Sequence, residues 1–305
     1  MIRFLINVTL FVMFTSLLGE LTVRVFKLVP DIPERYLDRH KIQKFKQGQS
    51  GYYTRANEKW NVNKYGWLGL DNIEKGSTIS IIGDSFIENI MNPISCNQGS
   101  ILKQLIPDYS FFEAGRSGIT FIEAIEISRI LDDEINPKYQ LIYLGEGDFY
   151  ESIYEKNIYS DRLQLSIAEQ KIIYAKIKSA KFKKILYNIK LLYFLYLKYP
   201  IFVEKQNKGE VLESTKSDNI DASVFTDLLD YSSNNYNLNK LIFVFHPNTD
   251  EQIVELVDKY GVKTLLLNSS NDKSWEVSKK DKHWSCYGNN QAGKQVSKAL
   301  KKLVE

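Results

Sequence analysis

The sequence predicts a three-layer α/β fold: a five-stranded parallel sheet with helices on both faces, an N-terminal membrane helix and a helical insertion. Three observations carry this. Short apolar runs recur along the chain, and segments of helical spacing alternate with them from residue 78 onward. Such alternation argues for parallel strands covered on both faces. The chain has 305 residues, 44% hydrophobic and 25% charged, which is ample for a core and excludes disorder or a low-complexity fibre.

Residues 1–28 read as a membrane anchor or signal segment. Phe4 to Gly19 is uncharged and mostly apolar. As a helix it spans about 24 Å, short of a ~30 Å hydrocarbon layer. Leu21 to Val23 extend the span if Glu20 sits at the interface. No A-x-A-like cleavage site follows, and a buried core helix is the bland alternative. Arg3 precedes the run, whereas Arg24, Lys27, Arg35, Arg39 and Lys41 follow it. The positive-inside rule would then put the C-terminal side in the cytoplasm.

Residues 29–75, rich in turns, read as a connector that packs on the domain. The domain itself is assigned to 76–150 and 238–305. Its first strand is the β-branched run Thr78-Ile-Ser-Ile-Ile82, ending at Gly83. A helix follows over Ser100–Leu105, a turn at Pro107-Asp108 and a second strand over Tyr109–Phe112. Ile119–Ile135 has helical spacing and stops near Pro137. Gln140–Leu144 is the third strand and Leu241–Phe245 the fourth. Asp250–Tyr260 is a helix, Val262–Leu267 the fifth strand and Gln291–Leu303 the closing helix.

Residues 151–237 interrupt the pattern as a basic, aromatic helical insertion. From Lys171 to Lys205 nine lysines accompany one acid, Glu204. A lid against an anionic membrane or polymer is one reading, and an amphipathic insertion with a solvated lysine face is the other. Residues 206–223 are polar and read as a flexible loop.

Forty basic and 37 acidic residues nearly balance, so nothing argues for nucleic acid. Two cysteines exclude a disulfide-framework mini-protein and a four-cysteine zinc site. No Cys/His group has ligand spacing, so neither metal nor cofactor is expected.

Two motifs carry chemistry. Gly83-Asp84-Ser85 ends the first strand, where open α/β sheets place their sites. Backbone N–H groups at such a turn can face a developing oxyanion. Near the far end stands Asp281-Lys282-His283-Trp284. A carboxylate beside a histidine orients the imidazole and stabilises its charged form. The bland alternatives are a capping serine and a surface histidine.

These blocks resemble the SGNH (GDSL-type) hydrolases over Thr78 to about Ser152 and Leu241 to Glu305. Gly83-Asp84-Ser85 matches the first block, which implies Ser85 as nucleophile. In Glu113-Ala114-Gly115-Arg116-Ser117-Gly118 the last residue matches the oxyanion glycine, alongside the Ser85 N–H. Gly145-Glu146-Gly147-Asp148 stands where the family has G-x-N-D, so Gly147 replaces an oxyanion-donating asparagine. The resemblance leaves Arg116 or the Gly147 backbone to compensate. Asp281 and His283 match the last block one residue closer than usual, and with Trp284 they are similar to a D-x-H-W motif of bacterial polysaccharide O-acetyltransferases. Asp84, Arg116, Glu146, Gly147, Asp148 and Trp284 are expected to line the site. If Ser85 meets His283, Cys96 and Cys286 come near each other. They are then either a disulfide, which suits an extracytoplasmic domain, or two unpaired apolar side chains.

The resemblance implies an ester hydrolase or acyltransferase acting on acetyl esters of a cell-surface carbohydrate. It would be membrane-anchored with an extracytoplasmic catalytic domain, against the positive-inside count, and partner proteins of a polysaccharide assembly system are expected. A catalytically silent polysaccharide-binding module and a lipid esterase are the alternatives.

Overall fold

The computed structural model describes residues 1–54, 57–177, 179–199 and 222–304. Five strands form the central sheet: β1 (Thr78–Gly83), β2 (Ser110–Gly115), β3 (Tyr139–Leu144), β4 (Leu241–Phe245) and β5 (Lys263–Leu266). All pair in parallel, in the order β2-β1-β3-β4-β5. The order reverses between β1 and β3, and ligands of open α/β sheets bind beyond the strand ends at such a switch point.

The helices, in chain order, are α1 (Ile2–Val25), α2 (Ser85–Glu88), α3 (Gln98–Leu105), α4 (Phe121–Ile135) and α5 (Glu146–Glu151). They continue with α6 (Ala180–Asn188), α7 (Lys190–Lys198), α8 (Ala222–Asn235), α9 (Glu251–Asp258) and α10 (Cys286–Val304). Side chains of a strand alternate between faces, so a sheet covered on both sides needs nearly continuous apolar strands. Ile82, Phe112, Ile142 and Phe243 pack toward α4, α8 and α9 through Ile125, Leu228 and Val257. Ile81, Phe111, Leu141 and Val244 pack toward α3 and α10 through Leu102, Val296 and Leu300.

Local chemistry sets the helix ends. Thr120 caps α4 by accepting the Glu123 N–H, and Asn136 ends it in the left-handed region before Pro137. Asp250 caps α9 through the Gln252 N–H.

Residues 29–75 form two antiparallel ribbons, Arg35–Leu37 with Gln43–Phe45 and Ser50–Tyr53 with Glu58–Asn61. Ile42 and Trp67 of this segment reach the main core.

The insertion boundaries need correction. α8 lies within 151–237, yet Phe225, Leu228 and Leu229 belong to the main core. It is the crossover helix between β3 and β4, which a parallel connection requires. Residues 151–177 are not helical beyond Glu151: Gln164–Ser166 and Lys171–Ile173 pair as an antiparallel ribbon, with Leu165 and Ile172 in the core. The inserted helices are α6 and α7. The polar stretch 206–223 lies outside the described residues except for its last two, which begin α8.

α1 is about 36 Å long at 1.5 Å per residue, and its apolar side chains are largely exposed. Among the described residues it is the one helix long and apolar enough to cross a membrane. Cys96 and Cys286 form a disulfide across 190 residues, with their Cα atoms 5.1 Å apart. It ties the turn Ile94–Cys96 to the first residue of α10.

Candidate active site

β1 is buried along its whole length and delivers the chain to the sheet edge at Gly83. Asp84 then caps α2, its Oδ1 accepting the Phe86 N–H at 2.9 Å, which makes Ser85 the first helical residue. Two glycines let α2 fold back on the strand ends. A Cβ at Gly83 would stand 2.6 Å from Ile87 Cγ1, and one at Gly115 would stand 2.5 Å from the Glu88 nitrogen. Neither position has room for a side chain.

Asp281 and His283 lie on a short strand, Asp281–Trp284, paired with Glu276–Ser278. Residues two apart on a strand share a face, so the D-x-H spacing aims both side chains one way. The Asp281 Oδ1 lies 2.6 Å from His283 Nδ1 and also accepts the His283 backbone N–H at 3.1 Å. With Nδ1 donating to the carboxylate, Nε2 is left as an acceptor. Ser85 Oγ sits 2.8 Å from it, across 198 residues of chain. The His283 side chain is 32% exposed, so the trio is open to solvent.

The loop after β2 is fastened to α2. Arg116 N–H donates to the Gly83 carbonyl at 3.2 Å, and Ser117 donates to the Glu88 carboxylate from its N–H at 2.6 Å and from its hydroxyl. Gly118 follows with φ +80°, a region that favours glycine. Among the described residues neither the Ser85 nor the Gly118 amide donates to a protein acceptor.

Arg116 does not face the site. It is 1% exposed, with its guanidinium 2.5 Å from the Glu123 carboxylate and donating to the Ser117 carbonyl. A buried cation needs a partner, and Glu123 on α4 supplies it from inside the core. The cation beside Gly118 is instead Arg162: a Cβ on Gly118 would stand 3.3 Å from Arg162 Nε. Arg162 pairs with Glu151 and lies 4.3 Å from the Tyr159 ring centroid.

The turn after β3 enters α5. Asp148 is buried and accepts the Gly145 N–H at 2.7 Å. Burial pushes its carboxyl well above the usual range, and the charge of Asp84 adds to the shift. Asp84 is itself pushed up to about 6, chiefly by burial. Glu146 is half-buried and raised by desolvation, with Asp250 as a lesser cause. Gly147 is exposed, and a Cβ there would meet nothing within 4 Å.

Beside the trio, a cavity of about 280 Å³ is walled by Phe86, His246, Trp275 and Trp284. Asn248, Asp272, Lys273 and Lys282 supply a polar rim. Trp284 is largely buried, and its ring lies 5.0 Å from His246 and 5.1 Å from Phe86. Burial lowers His246 to about 3, with His283 adding to the shift, so its ring is neutral at ordinary pH.

His246 and Arg162 were not singled out from the sequence as site residues. His246 directly follows β4, and that strand-end position was a usable signal. Arg162 had none, because its neighbours Glu151 and Gly118 approach it only in the fold.

No family model matches the chain, and no curated protein matches it. Solved structures similar to it include the psychrotrophic esterase EstA from Pseudoalteromonas sp., at 11% identity and TM-score 0.39, covering 75% of this chain and 98% of that one. A Clostridium thermocellum family 3 carbohydrate esterase is similar at 14% identity and TM-score 0.35, covering 73% of this chain and 98% of that one. A GDSL-like lipase from Bacteroides thetaiotaomicron is similar at 10% identity and TM-score 0.34, with 77% and 92% covered.

Proposed function

We propose that the chain is a serine ester hydrolase of SGNH type that removes short acyl groups, acetyl above all, from a carbohydrate. The observation that carries this is the unbroken hydrogen-bonded series Ser85 Oγ, His283 Nε2, His283 Nδ1, Asp281 Oδ1. A serine activated by a histidine that a carboxylate orients is the arrangement acyl transfer needs.

Ser85 Oγ attacks the ester carbonyl carbon while His283 Nε2 takes its proton. The carbonyl oxygen becomes an oxyanion facing the amides of Ser85 and Gly118, with Arg162 as a nearby positive wall. Collapse breaks the bond to the leaving oxygen, which receives the proton from His283 and departs as an alcohol. Water attacks the acyl-serine in the same way, and serine and the free acid are released. A sugar hydroxyl in place of water would give transfer instead of hydrolysis.

The polar rim around the aromatic cavity supports a hydroxyl-rich substrate over a fatty chain. The disulfide supports an oxidising compartment, hence a catalytic domain outside the cytoplasm held by α1. The test is hydrolysis of aryl esters of increasing acyl length and of an acetylated glycan, by wild type and Ser85→Ala. Acetate should be released fastest and only by wild type. Equal release by the variant, or a preference for long acyl chains, would overturn the reading.

A further inference from the structure

α6 and α7 pack on the C-terminal end of α1. The Glu20 carboxylate accepts the N–H groups of Lys190 and Leu191 at 3.0 and 2.6 Å, capping α7 from another helix. Arg24 closes the joint, bonding to Glu20 at 2.7 Å and to the Asn188 carbonyl at 2.6 Å. A Cβ on Gly19 would stand 3.0 Å from Leu191, so the helices touch closely there. Val23, Val29, Leu186 and Tyr193 form a small buried cluster separate from the sheet's cores. The helix pair is therefore held in a definite place relative to α1.

Its outer side chains are unlike those of a soluble surface. Phe182, Ile185, Ile189, Leu192, Leu195 and Tyr199 are each 40–58% exposed. Spacing of three and four sets them on one face within each helix, and Ile189, in extended backbone, joins the two short apolar runs. Exposed lysines flank them at 181, 183, 184 and 198, and no acid occurs from 180 to 199. The α7 run starts beside α1, at the Glu20–Lys190 joint. Apolar side chains flanked by lysines suit the boundary between acyl chains and anionic headgroups.

We propose that α6 and α7 lie in the headgroup layer of an anionic bilayer, beside the point where α1 leaves the hydrocarbon. The pair then acts as an interfacial element that fixes the catalytic domain's orientation to the membrane. This rests on α1 being an anchor and not on the esterase reading.

The test uses the full chain in vesicles of phosphatidylcholine alone or with about 30% phosphatidylglycerol. Ile185→Cys carries an environment-sensitive fluorophore, and Glu255→Cys on α9 is the control. The native cysteines are paired, so only the new thiol reacts. Flotation with vesicles reads the anchor, and shallow nitroxide lipids read the depth of the label. The label at 185 should be quenched in anionic vesicles and the one at 255 should not. Replacing Lys181, Lys183 and Lys198 by Gln should weaken the pair's partitioning by about fivefold per lysine, with flotation unchanged. A floating chain whose 185 label is no more quenched than the control would overturn the proposal. So would a response to soluble dextran sulfate but not to anionic lipid, which would mark a polymer site. A chain that fails to float overturns the anchor and the proposal together. Aryl acetate turnover on the same sample reports separately on the esterase reading.

Discussion

The end that carries the proposed catalytic trio, here the catalytic end, and the α1–α7 end each join segments far apart in sequence, 198 residues for Ser85 and His283 and 170 for Glu20 and Lys190. At the catalytic end the crossing is covalent and seated on the sheet: the disulfide ties α10 to the turn before α3, over packed strands. At the other end it is made by two capping hydrogen bonds, the Arg24 bond to the Asn188 carbonyl and a cluster of four buried residues. Most apolar side chains of α1 and α7 remain outside. In the first arrangement the sheet's apolar side chains are covered by helices on both faces. The second leaves exposed what a second phase would cover.

The largest effect expected is at the trio. His283→Ala should lower kcat on an aryl acetate by at least ~10³-fold with little change in melting temperature. Asp281→Ala should lose less, since it removes the orienting carboxylate and not the base. A full rate for Asp281→Ala would mean that another acid orients the imidazole.

Removing the disulfide by Cys96→Ser with Cys286→Ser should cost on the order of 2–5 kcal/mol of stability. The loss should appear as early melting around Ser85 and His283 in hydrogen exchange, with α6 and α7 unchanged. Equal loosening at both ends would mean that they are not independent.

Gly147 tests the carbonyl pocket. It has no positive φ and has open space at its Cβ, so Gly147→Asn should fold. If the amide reaches the oxyanion, kcat should rise by up to ~10²-fold with KM little changed. A rate no higher than that of Gly147→Ala would mean that the amide does not reach it.

The buried acids set a pH slope at the catalytic end. Asp84 titrates at about 6 when folded and at 3.8 unfolded. The folded state therefore holds the extra proton between those values, and stability falls as pH rises through that window. Asp148 acts in the same direction. Asp84→Asn should flatten the decline of melting temperature from about pH 4 to 6 while keeping the cap on α2. An unchanged slope would mean that Asp84 ionises normally.

The smallest effect is expected at the other end. Glu20→Ala should cost about 1 kcal/mol locally, seen as faster amide exchange at Lys190 and Leu191. Aryl acetate turnover should stay unchanged. A loss of activity would mean that the two ends communicate.

The sequence by itself determined the five strands and marked the two motifs of the proposed site, because both are local. A run such as Thr78–Ile82 cannot leave both faces in water, whereas the strand that turns Asp281 and His283 to one face appears only in the structure. The sequence also marked α1 through an uninterrupted apolar stretch. Tertiary structure decided what depends on partners distant in the chain. Arg116 turned inward because Glu123 offers a buried carboxylate, while Arg162 came to Gly118 from beyond β3. α8 joined the core because the crossover from β3 to β4 needed a covering helix there. The disulfide formed because the Ser85 and His283 turns meet. The inserted helices joined α1 because Glu20 and Arg24 supply the hydrogen bonds that the ends of α6 and α7 lack. Periodicity reports which face of an element is apolar, whereas the identity of what covers that face is a property of the assembled chain.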